Sequence, residues 1–127
     1  VKGKNNMFLS YVNLPELKCQ PGWFILSYDR PYYSDDSSIA IELCQSFDRL
    51  IGFHKKTGYY FDARYEGDEY SPGGRINGTF SVTFQRFNFD INTSGYGDST
   101  STEKLKTDSI REFSRLLNDF VERAEQQ

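Results

Sequence analysis

Hydrophobic and polar positions alternate over most of this chain and change to a helical period only near its end. Successive side chains of a strand point to opposite faces, so a period of two marks a strand with one buried face. A period near 3.6 marks an amphipathic helix. In residues 39–44, Ile39, Ile41 and Leu43 alternate with Ala40, Glu42 and Cys44, the pattern of a half-buried strand, with a short helix through Phe47 as the alternative. The clearest local element spans 49–66. There Tyr59, Phe61, Ala63 and Tyr65 alternate with Tyr60, Asp62, Arg64 and Glu66, and Lys55-Lys56-Thr57-Gly58 predicts a β-hairpin with a glycine-containing loop.

Other segments depart from simple alternation. Residues 23–28 carry strand formers on both phases, which predicts a central strand covered on both sides. Residues 79–91 place Phe80, Val82 and Phe84 on one phase and Phe87, Phe89 and Ile91 on the other, so the apolar face changes sides near Gln85-Arg86, which implies a bulge or a strand shared between two packed faces. Residues 7–14 read as a first strand that ends at Pro15. Residues 30–38 and 67–77 have loop composition, and Asn77-Gly78 is a turn signal. Residues 92–101, rich in Ser, Thr, Gly and Asp, read as a flexible linker to the helix. In that helix Ile110, Phe113, Leu117, Phe120, Val121 and Ala124 recur at helical spacing, with Leu105 one turn earlier as a further candidate. Thr100 with Glu103, or Ser109 with Glu112, supplies the capping box.

Strands followed by one helix predict an α+β domain, a mainly antiparallel sheet of five or six strands with the C-terminal amphipathic helix packed on it. A length of 127 residues fits a single domain, 1–127, with 1–6 as a disordered extension. The longest apolar run, Trp23-Phe24-Ile25-Leu26, is far too short to span a bilayer, and no membrane association is expected. Cys19 and Cys44 form no disulfide framework and read as free thiols of a cytoplasmic protein.

The chemistry on offer is sparse. His54 is the one histidine, beside Lys55 and Lys56, and no second catalytic partner stands at a motif spacing. A small ribonuclease built on His54, Lys55 and a tyrosine is the enzymatic alternative. Cys19, Cys44 and His54 lack zinc-site spacing, and Asp29, Asp35 and Asp36 lack the order of a calcium loop, so neither a metal nor another cofactor is expected. No phosphate-binding glycine loop is present.

Composition points to binding instead. The chain carries eleven Phe, nine Tyr and one Trp, side chains that supply stiff contact area with a polar tip. Net charge is -3, and residues 19–69 hold nine acids against five bases. A basic footprint for nucleic acid is missing from this count, so direct DNA or RNA binding is disfavoured, although a local patch escapes a count made along the sequence. Tyr32, Tyr33 and Tyr70, with Asp35, Asp36, Asp62, Glu66, Asp68 and Glu69, form a candidate partner-binding set in which rings give burial and carboxylates answer Lys or Arg of a basic protein.

In overall build, a small, acidic, aromatic α+β protein without a catalytic motif resembles the immunity proteins that neutralise bacterial toxins, including those of contact-dependent growth inhibition. The resemblance rests on build and charge, not on a motif. It implies a non-enzymatic cytoplasmic inhibitor that binds and blocks a cognate basic toxin domain, such as a nuclease. A small-molecule or lipid-binding module, with an aromatic pocket between sheet and helix, is the other alternative.

Overall fold

A computed structural model describes residues 15–27, 30–34, 37–43, 49–68, 76–90, 92–93 and 95–127. Among them are eight strands and one helix in the order β1 (Glu16–Cys19), β2 (Trp23–Ser27), β3 (Arg30–Ser34), β4 (Ile39–Glu42), β5 (Arg49–His54), β6 (Tyr59–Asp68), β7 (Ile76–Asp90), β8 (Gly95–Thr107) and α1 (Ile110–Glu125). Six strands form one sheet in the order β3-β2-β5-β6-β7-β8, and β1 pairs with β4 in a second, two-stranded sheet. All described pairings are antiparallel. The fold is therefore α+β, a mostly antiparallel architecture with one C-terminal helix packed on it.

The helix begins where the sequence offers its second capping choice. Ser109 is the N-cap, and its side-chain oxygen accepts from the Glu112 N–H at 3.2 Å. Glu112 in the first turn and Arg123 in the last both suit the helix dipole. Phe113, Leu117, Phe120, Val121 and Ala124 are its buried residues. Two of them stack on β7: Phe113 on Phe80 and Phe120 on Phe84, each with ring centroids 4.3 Å apart. These contacts close one side of the main sheet, its core face, where Trp23, Ile25, Leu50, Phe61, Ala63, Tyr65, Val82 and the stacked rings are buried.

The same helix holds the small sheet in place. Asn118 acts as a surrogate strand for β1: its Oδ1 accepts from the Lys18 N–H at 3.1 Å and its Nδ2 donates to the Glu16 carbonyl at 2.9 Å. Just beyond β1, Glu125 Oε2 accepts from the Gln20 N–H at 2.6 Å and from the Trp23 indole N–H at 2.9 Å. Backbone groups at a sheet margin are costly to bury unpaired, and these side chains satisfy them while fixing the helix against β1. Leu17, Cys19 and Leu43 enter the same core.

Several expectations need correction. Residues 30–34 are the edge strand β3 and not a loop, because β2 pairs along their full length, from Trp23 with Ser34 to Ser27 with Arg30. Residues 95–101 are not linker but the start of β8, whose Ser and Thr residues gain their conformation from pairing with β7. Leu105 accordingly sits on β8 and not in the helix. Asn77-Gly78 lies inside β7, where the Gly78 N–H donates to the Tyr65 hydroxyl at 3.0 Å. Strand β2 is covered on one side only, since Phe24 is exposed. Residues 1–14 and 69–75, and with them the predicted first strand and the middle of the predicted 67–77 loop, lie outside the described residues, as does Cys44.

The predicted hairpin is present, and the pairing is irregular where the apolar face changes, with the extra residues on the partner strand β8. β5 pairs with β6 across Lys55-Lys56-Thr57-Gly58, and the β7–β8 register shifts at Arg86, Phe87 and Phe89. Gly58 has φ +78°, and a Cβ there would overlap the Phe87 carbonyl oxygen. Gly52 faces the Phe61 ring so closely that a Cβ would enter it. Gly58→Ala therefore combines a left-handed backbone with a clash, and it should destabilise the fold by about 2 kcal/mol or more in urea denaturation. An unchanged midpoint would contradict this geometry.

Candidate functional site

Core-face residues are consumed by packing, so binding chemistry must be sought on the other, outer face of the sheet or around the helix. The strand register organises the outer face into three cross-strand rows. The first runs Phe24, Phe53, Tyr60, Gln85 and Thr102. The second runs Leu26, Ile51, Asp62, Thr83 and Lys104. In the third, Arg49, Arg64, Ser81 and Lys106 follow one another across β5, β6, β7 and β8. Directly paired side chains lie about 5 Å apart at Cβ, so each row is a contiguous strip.

The first row is aromatic. Phe24 is 40% exposed, and Phe53 and Tyr60 are half-buried beside it. Phe87, in the same phase of β7 as Gln85, faces this side, where its ring meets Tyr60 edge-on at 5.7 Å. Leu26 and Ile51, half-buried in the second row, extend the apolar area. The face change read from the sequence thus has a consequence in space: β7 gives Phe80 and Phe84 to the core and Phe87 to the outer face.

The polar rows are organised by Asp62. Its carboxylate accepts from Arg49 Nε at 3.1 Å and from Arg49 Nη2 at 2.7 Å, and lies 3.7 Å from Arg64 Nε. Arg49 and Arg64 are direct cross-strand partners, and like charges in that relation repel. Asp62 in the adjoining row relieves the repulsion. The Asp62 hydrogen bond holds the Arg49 guanidinium above its ordinary range, and burial, aided by the Asp62 charge, pushes the Tyr60 hydroxyl up as well.

The predicted partner-binding set is divided by this arrangement. Asp62 and Glu66 both lie on β6 on the outer face, Asp62 engaged by arginine and Glu66 exposed. Tyr33 pairs with Phe24 and Tyr32 with Ile25 in the β2–β3 register, and Asp68 pairs with Ile76. Asp35, Asp36, Glu69 and Tyr70 lie outside the described residues. Of the other tyrosines, Tyr65 is buried, and Tyr59 packs on Phe120 at 5.4 Å with Arg86 over its ring. Phe24, Phe53, Phe87, Arg64, Lys104 and Lys106 were not in that set. Their signal was the second phase of each strand, which alternation assigns to the face away from the core.

His54 occupies a different place. It is buried at the end of β5, its ring 4.8 Å from that of Trp23, and its Nδ1 is 2.6 Å from the Thr57 hydroxyl oxygen. These contacts tie the hairpin loop to the indole that Glu125 holds. Cys19 is a free, buried thiol, pushed up to about 12 by burial and by the Glu125 carboxylate, so little of it is thiolate at neutral pH.

Beside α1, two adjoining grooves of about 430 and 500 Å³ share Phe84, Glu103 and Arg123. Their walls alternate apolar and charged groups, with Leu105 and Leu116 next to Arg115, Asp119 and Glu122. Arg115 is paired with both Glu112 and Asp119. The second groove, between sheet and helix, is lined by Tyr59, Phe84 and Phe120 together with Gln85, Arg86 and Thr102. No group of three or more potential metal ligands occurs among the described residues, and no helix there is long and apolar enough to cross a membrane. Comparison with known proteins yields no match, whether to a family model, a curated protein or a solved structure.

Burial holds His54 below its ordinary value of 6.5, an effect only partly offset by the Glu125 charge, with Lys56 acting in the same direction as burial. The unfolded chain therefore binds this proton more readily than the folded one. As pH falls from above 6.5 towards the lower folded-state value, stability should decline, and below that value this contribution should level off. Urea midpoints measured across that range should show the decline in the wild type and lose it in His54→Gln. A variant with the same profile would contradict the assignment.

Proposed function

We propose that the chain is a non-catalytic binding protein that neutralises a partner protein by docking it on the outer face of the six-stranded sheet. The observation that carries this reading is the row Phe24–Phe53–Tyr60, with Phe24 40% exposed on the side away from the helix. The exposed Phe24 ring, beside half-buried Phe53, Tyr60, Leu26 and Ile51, forms the centre of a surface that gains free energy when covered. Arginines around an aromatic centre, here Arg49 and Arg64, are the composition enriched in protein interfaces.

The build, one antiparallel sheet closed by one helix, suits the toxin-neutralising class, and we infer a toxin domain as the partner. Rigid strands favour this reading, because side chains on a paired sheet lose little conformational freedom on binding. The mixed-charge trough beside α1 gives weaker support to an apolar ligand, and the packing of His54 against Trp23 gives it a structural role within the fold.

Affinity capture from lysate of the source organism, with the product of each neighbouring gene tested singly, examines this proposal. One partner should be retained by the wild type, and Phe24→Ala should weaken its binding about thirtyfold, the loss of one interface anchor. The variant should still fold, since Phe24 lies outside the buried core. Failure to retain any protein, or equal retention by the variant, would refute the proposal.

A further inference from the structure

Charge on the outer face differs in sign from the charge of the sequence segments that build it. Residues 19–69 are net acidic along the chain. Folding brings Arg49, Arg64, Lys104 and Lys106 onto one face from β5, β6 and β8, and the described acids on that face are Asp62, Glu66 and, at its margin, Asp108, which accepts from the Thr79 hydroxyl at 3.0 Å. Asp62 is already committed to Arg49 and adjacent to Arg64. Lys104 and Lys106 are exposed and stand at the ends of the second and third rows, away from Glu66, with Asp108 beyond Lys106 and engaged by the Thr79 hydroxyl. The described face is thus an aromatic strip at one end with a row of cations beside it, bordered by Glu66 and Asp108.

Resting on the reading of this face as the docking surface, we infer that the part of the partner seated there is acidic: a protein surface whose carboxylates meet Arg64, Lys104 and Lys106 while an apolar spot covers Phe24 and Phe53. This inverts the partner charge expected from the sequence. Three physical points select that occupant. A basic partner would set like charges against three outward cations, which costs free energy and slows encounter. A second copy of this chain would place the same cations against one another, so self-pairing through this face is disfavoured for the same reason. A polynucleotide carries its charge along its whole length and would meet a molecule of net charge -3, whereas a compact protein patch meets only the local field.

The test uses the full chain and three labelled probes in fluorescence anisotropy at low ionic strength: a peptide of alternating Glu and Tyr, its Lys and Tyr counterpart, and oligo(dT). The Glu peptide should bind, the other two should not, and the affinity should fall as salt rises. The double variant Lys104→Glu with Lys106→Glu should bind the Glu peptide about tenfold more weakly, as expected for two lost rim charges. These lysines are exposed on an edge strand, so the variant should melt with the wild type.

Tighter binding of the Lys peptide would overturn the inference in favour of a basic partner. Oligo(dT) binding that exceeds that of the Glu peptide would overturn it in favour of nucleic acid. An absence of any binding, or a charge-reversed variant that binds the Glu peptide unchanged, would also overturn it. Phe24→Ala separates the two claims. If the Glu peptide responds to the lysine reversals but not to Phe24→Ala, the acidic-partner inference stands and the aromatic docking surface falls. If binding is lost with Phe24→Ala and is indifferent to the lysines, the docking surface stands and the acidic partner falls.

Discussion

The stacking of α1 on β7, Phe113 against Phe80 and Phe120 against Phe84, determines which side of the sheet becomes the interior of this protein. Each ring pair gains both area removed from water and a favourable aromatic geometry, and together they anchor the helix along the strand at two points. Asn118 and Glu125 then set the helix against the margin of β1, supplying hydrogen bonds to backbone groups that would otherwise lack strand partners. The helix, the small sheet and Trp23 are coupled in this way. With the helix and the β1–β4 pair contributing to one core, the apolar residues on the other phase of β2, β5 and β6 are left to the outer face.

That division explains why the outer face has the character of a contact surface. Its aromatic row is a product of strand register, and the gathering of Arg49, Arg64, Lys104 and Lys106 is a product of topology, since β8 lies far from β5 in sequence but shares a face with it through β6 and β7. Asp62 makes the arrangement tolerable by sitting between two arginines that the register forces together. A carboxylate used in this way is an internal component of the surface. Its role differs from the outward-facing acid expected from residue types alone.

Local pattern carried much of the fold. Alternation around Lys55-Lys56-Thr57-Gly58 was sufficient for the hairpin because both strands and their loop are contiguous in sequence. Helical spacing identified every buried residue of α1, and the phase change near Gln85-Arg86 falls where the β7–β8 pairing shifts register. Pairing between distant or polar segments was hidden. Residues 95–101 have the composition of a linker and become a strand because β7 supplies hydrogen-bond partners. Residues 30–34, with Pro31 at a sheet edge, likewise depend on β2. For the candidate site, a strand apolar on both phases does not reveal whether its second face meets a covering layer or solvent, and charge summed along the chain loses the sign of a patch assembled across strands.

The most direct measurement is the broadening of side-chain NMR signals by a soluble paramagnetic agent, first in the free protein and then with its captured partner bound. If the outer face is the docking surface, the Phe24 ring and the Leu26 and Ile51 methyl groups should broaden in the free protein and become protected in the complex, while Leu116 on α1 keeps the same accessibility. Protection confined to the α1 side, with Phe24 equally accessible in both states, would contradict the account.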